Sequence, residues 1–204
     1  MGDFFLYQLI VLVSSILNYS NNAIIQFFLP VFTERALDRE ITEFQIGLIL
    51  SVYAFAIVFQ SFLVDKLRDK LGSKRTYLLG VSLGAIVSLL SITLNYTTWL
   101  PFILIAVLLK FFDGIREPQF EVVAFIYFAE NVLDGTTKKM QGRAISIYKT
   151  FGAMGYLLGA LQAPFMLSYF GYDGGFFVFF LLYASALAIG TKLLPDVDKK
   201  SDDT

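Results

Sequence analysis

The chain has no cysteine and no histidine among its 204 residues. Without cysteine there is no disulfide, no thiolate nucleophile and no cysteine metal site. Without histidine the commonest metal ligand and the neutral-pH switch are also missing. Sixteen basic residues against seventeen acidic ones leave a formal charge of −1, so no basic surface points to nucleic acid. No nucleophile–base pair, ligand cluster or phosphate loop is legible, so neither an enzyme, a metal nor a cofactor is expected. Any proton coupling has to use carboxylates.

What is present is apolar and aromatic: 56 % hydrophobic residues, with 22 Phe and 11 Tyr. A chain of this length cannot hide that much apolar surface in a water-soluble fold. A bilayer core of about 30 Å needs about 20 apolar residues per helix. Runs of that kind lie near 4–32, 43–64, 75–95, 98–128, 141–168 and 174–194. The expected fold is therefore all-α and polytopic, a bundle of six transmembrane helices over 1–195 followed by a polar tail or linker at 196–204. The first run is long for a cleaved leader, carries Asp3 in place of a basic flank and is followed by no small-residue cleavage site, so it reads as the first span.

Lys and Arg in the short connections set the expected orientation. Lys66, Arg68, Lys70, Lys74 and Arg75 join spans two and three. Lys138, Lys139 and Arg143 join spans four and five, and Lys199 and Lys200 lie in the tail. On the other side, Arg35 and Arg39 are offset by Glu34, Asp38, Glu40 and Glu43. Both termini are expected on the cytoplasmic side of a multi-pass integral membrane protein.

Polar residues inside the spans mark candidate sites. In the first span Ser14, Asn18, Asn21 and Asn22 fall within about 80° of one another on a helix. Such an amide face serves either interhelical hydrogen bonding or a solute path. In the fourth span Lys110, Asp113, Glu117 and Glu121 share one stripe about 16 Å long. Each charge costs at least about 2.5 kcal/mol at mid-bilayer, so the stripe must face a wet cavity or be paired internally. Acids outnumber the base, which leaves a carboxyl to titrate or to bind a cation. Arg116, about 120° from Lys110, is placed to pair with another helix. Pro118 is expected to interrupt this span. In the fifth span Gly152, Gly155 and Gly159 form a smooth ridge suited to close helix packing; Lys149 is placed near its cytoplasmic end. The turn Gly171–Gly175 separates spans five and six.

Taken in order, these pieces resemble the N-terminal six-helix half of a major facilitator superfamily transporter over nearly the whole chain. Asp69, Lys70, Gly72, Lys74 and Arg75 fit the family's loop between spans two and three, with Asp65 where its first glycine stands. Lys110-Phe111-Phe112-Asp113-Gly114 resembles its Arg-x-x-Gln-Gly motif, with an acid in place of the amide. Gln141-Gly142-Arg143-Ala144 and Leu193-Leu194-Pro195-Asp196 resemble the start of its fifth span and the end of its sixth. Gly155 and Gly159 retain part of the antiporter motif, with Ala160 where Pro is expected. Tyr19, the run Phe27-Phe28-Leu29-Pro30 and Gly171-Tyr172 look most like the drug:proton antiporter and vesicular amine or polyamine branch.

The resemblance implies two three-helix repeats, a secondary carrier moving a small organic solute by alternating access, and a proton-coupled, cation-selective antiport as its finer form. Amine carriers of that branch hold an acid in the first span. Here Asn18, Asn21 and Asn22 stand there, so a cation would rest on Asp113, Glu117 or Glu121. Asp69 and its neighbours would form a gating loop that docks on a second six-helix half. That half would be a separate chain, a missing C-terminal half, or a second copy as a homodimer. Membrane lipid and a small-molecule solute are the other expected partners. The contrasting expectation is a non-transporting membrane scaffold or assembly subunit, in which the acid stripe is dry and internally paired.

Overall fold

A computed structural model of the chain describes residues 16, 19–20, 32–133 and 138–194, and every regular element among them is helical. Asn18, Asn21, Asn22 and the 196–204 tail lie outside the described residues. Helix α1, residues 32–37, ends where Glu40 takes a left-handed backbone (φ 63°). The Ile41 and Glu40 amides then return to the Ala36 and Leu37 carbonyls, which closes the helix in the manner normally supplied by glycine. Thr42 and Gln45 cap each other's backbone amides and start α2, Glu43–Ser61, in a reciprocal capping box.

The charged stretch after α2 is expected to be a loop, and here the structure corrects the expectation. Val64–Leu71 forms a short helix, α3. Val64, Leu67 and Leu71 recur at helical spacing and give it an apolar stripe, while Lys66, Arg68, Asp69 and Lys70 take the other side. Asp69 and Lys70 therefore lie on a helix, Gly72 supplies the positive φ (83°) that ends it, and Lys74 and Arg75 sit in the first turn of α4, Ser73–Ser91. Asp69 is exposed and pairs locally with Arg68 at 3.5 Å. Helix α4 continues into a 3-10 segment, Ile92–Tyr96.

Helix α5, Trp99–Leu133, runs through Pro118 without a break, so the expected interruption is absent. Proline removes one backbone donor, but packing on both sides holds the helix. At Gly114 an added Cβ would fall on the Tyr53 carbonyl and within 2.7 Å of Ala56 Cβ, so α2 and α5 touch backbone to backbone. Helix α6, Lys138–Leu193, leaves helical geometry at Gly171 (φ 64°, ψ −171°). Its arm before Gly171 faces Ile16, Tyr19 and Ser20. Its arm after Gly171 runs antiparallel to α4, as Asn95 to Asp173, Gly84 to Tyr183 and Lys74 to Thr191 show.

Three helical stretches, Glu43–Ser61, Ser73–Tyr96 and Ile145–Lys192, are long and apolar enough to cross a membrane by length and composition. Among the described residues three apolar clusters occur, one of them around Tyr172, Phe176 and Phe179, and two include residues of α5. One joins Val64, Tyr77, Val81, Phe120, Val123, Tyr148 and Tyr183; the other joins Phe32, Ile41, Ile49, Val87, Phe102 and Leu109. Between Leu109 of one and Phe120 of the other, α5 carries Lys110, Asp113, Arg116 and Glu117.

Candidate functional site

The side chain at the centre of the site is Arg116, only 1 % exposed. Its Nε and Nη2 donate to Asp113 Oδ1 at 3.0 and 2.8 Å, and its Nη1 donates to Tyr183 Oη at 2.8 Å. Nη2 also lies 3.5 Å from Glu117 Oε2. The guanidinium thus ties two acids of its own helix to a tyrosine of α6. Angular counting along α5 set Arg116 apart from the stripe. A long side chain reaches back one turn, however, and the i, i+3 spacing from Asp113 to Arg116 equals that from Lys110 to Asp113. That spacing was the available signal; Tyr183 had none, because only the fold brings it near.

Glycines make this closeness possible. A Cβ at Gly84 would lie 2.9 Å from the Tyr183 ring and 3.0 Å from Arg116 Cδ, and one at Gly80 would lie 3.1 Å from Gln119 Cβ. The small-residue pair in α4 is what lets the Arg116–Tyr183 bond form.

Further along α5, Glu121 belongs to a separate group. Tyr19 Oη donates to Glu121 Oε1 at 2.5 Å, and Lys149 Nζ lies 3.8 Å from the same oxygen. The carboxyl side chain is 36 % exposed and the lysine 62 %, so this pair lies at the surface of the chain. The surplus of acid counted along the stripe is met by cations outside it: Arg116 of the same helix joins Lys110 opposite Asp113 and Glu117, and Lys149 of α6 stands opposite Glu121. The ridge glycines lie beside this group. An added Cβ at Gly152 would meet the Tyr19 ring at 2.8 Å, and those at Gly155 and Gly159 would overlap the backbone of Ile16 and Ser20.

A cleft that encloses about 610 Å³ of empty space, open solvent included, lies between α4, α5 and the second arm of α6. Lys110, Asp113, Arg116 and Tyr183 form its charged and polar end; Phe32, Leu94, Tyr172 and Phe176 line the rest. Lys110 Nζ is 3.9 Å from Asp113 Oδ2 and 5.8 Å from the Tyr53 ring. At the end near Gly171, Arg39 donates to the carbonyls of Arg35, Asn95 and Thr97, Arg35 stacks on Tyr172, and Asp173 accepts from Asn95 and Tyr96. No group of metal-binding side chains occurs among the described residues.

A charged, cavity-facing helix inside an apolar bundle suits membrane transport, and the comparison with families decides the class. The model of the Major Facilitator Superfamily matches residues 11–204. The chain belongs to the major facilitator superfamily. Major facilitator proteins are membrane transporters of small solutes, which places this chain in an integral-membrane, transport class rather than an enzymatic one. No individually characterised protein matches it at a significant level.

Proposed function

We propose that this major facilitator chain forms a six-span body, built as two three-helix repeats with both termini cytoplasmic, that carries a small organic solute by alternating access against a second six-helix body. That second body is a separate chain, a C-terminal half or another copy. The observation that carries the reading is the cavity reaching Lys110 and Asp113, because charges in a membrane helix are tolerated where they line a polar space. Protons couple through Glu121, whose side chain is more exposed than those of Asp113 and Glu117. The finer likeness to amine antiporters would make the solute an organic cation. With Arg116 and Lys149 matching the acids, the charge count alone no longer favours one.

Uptake by the chain reconstituted in liposomes with the body it works against tests this reading. Saturable uptake of small organic solutes, steeper in an imposed pH gradient, is expected. No flux, or pH-dependent uptake unchanged by Glu117→Gln and Glu121→Gln together, would overturn it. The scaffold reading draws on the saturated Arg116 bonds; it predicts the same stability with no flux.

A further inference from the structure

The charged end of the cavity contains an ion pair that is not closed. Asp113 Oδ1 takes hydrogen bonds from Arg116 Nε and Nη2, whereas Oδ2 pairs with Lys110 Nζ at 3.9 Å among the described residues. That gap exceeds hydrogen-bond reach. Among the described residues, no hydrogen bond reaches either Lys110 Nζ or Asp113 Oδ2. An ammonium with three donors and a carboxylate oxygen therefore stand side by side on the cavity wall.

The net charge around them is zero, with Lys110 and Arg116 opposite Asp113 and Glu117. A lone cation would be repelled by Lys110, and a lone anion by Asp113; either would bring an unmatched charge into an apolar bundle. A ligand with both charges on neighbouring atoms would complete the pair head to tail without adding net charge. Beyond the pair the walls are Phe32, Leu94, Leu109 and Phe176, which suit an apolar body.

We propose that this cavity receives a zwitterion with an apolar body, the chemical type of an apolar α-amino acid. Its ammonium donates to Asp113 Oδ2, and its carboxylate accepts from Lys110 Nζ. The proposal rests on reading this cavity as the solute site and names the solute's class. The test is equilibrium binding of tritiated L-phenylalanine to the purified full chain in lipid nanodiscs, with phenethylamine and 3-phenylpropanoate as competitors. Each competitor lacks one charge-assisted contact and should bind about tenfold or more weaker. Lys110→Met should weaken phenylalanine by a similar factor, and Ser88→Leu, which fills the cavity from α4, should abolish binding. Should Lys110→Met fail to fold, the competitor series and Ser88→Leu decide. Phenethylamine competing as well as phenylalanine would overturn the proposal in favour of a cation site. Equal competition by 3-phenylpropanoate would overturn it in favour of an anion site, and absence of saturable phenylalanine binding would overturn it outright. Binding without uptake into liposomes would support this proposal and sink the transport reading. Uptake of other solutes without phenylalanine binding would do the reverse.

Discussion

Two groups of charges sit three turns or fewer apart on α5, and they are built in opposite ways. Around Arg116 the hydrogen bonds to Asp113 and Tyr183 are short and buried, and Gly84 lets Tyr183 approach. Around Glu121 one hydrogen bond and one loose ion pair hold a carboxyl that remains accessible. A buried network fixes structure, since removing one member strands the others. One stripe in the sequence is thus two groups, a buried knot and an accessible acid.

The largest effect should come from cutting the knot. Arg116→Leu leaves Asp113 and Glu117 without their buried cation, and about 3–5 kcal/mol of stability should be lost. Thermal unfolding of the purified protein in detergent reads this as a large fall in midpoint, or as failure to accumulate. A near-wild-type midpoint would place Arg116 outside the structural core. Next comes Gly84→Val, which pushes a branched side chain into Tyr183 and Arg116; overpacking of this kind costs about 1–3 kcal/mol. The same melting assay should rank it below Arg116→Leu.

Changes in the second group should be milder for stability and stronger for function. Glu121→Gln keeps an acceptor for Tyr19 and should shift stability by no more than about 1.5 kcal/mol, while flattening the pH dependence of uptake. An unchanged profile would remove Glu121 from the coupling role. Smallest is Lys149→Met. The lysine is mostly exposed and its ion pair is long, so the change should fall within about 1 kcal/mol, and a large destabilisation would show that this group is as tightly built as the first.

The apolar runs were legible because a bilayer demands length and hydrophobicity, and α2, α4 and α5 follow from that demand. The break at Gly171 was also foreshadowed by its glycine-rich turn. The helix α3 was hidden because charge density dominated Val64, Leu67 and Leu71, whose spacing was nonetheless helical. At the site, four charges on one stripe could be read from spacing, but their division could not. Arg116 joins Asp113 by bending back along its own helix, and Tyr183 arrives from 67 residues away. Lys149, expected near the end of its span, instead reaches Glu121. Such pairings depend on how helices are set against one another, which periodicity within one helix does not encode.

Because the chain contains no cysteine, single cysteines introduced into it report accessibility without background. The most direct test of the contrast is the labelling rate of Glu121→Cys and Glu117→Cys by a charged, membrane-impermeant methanethiosulfonate in nanodiscs. With side chains 36 % and 12 % exposed respectively, the thiol at 121 should react readily and the one at 117 slowly or only after unfolding. Equal rates, or faster reaction at 117, would contradict the division of α5 into a buried knot and an accessible acid.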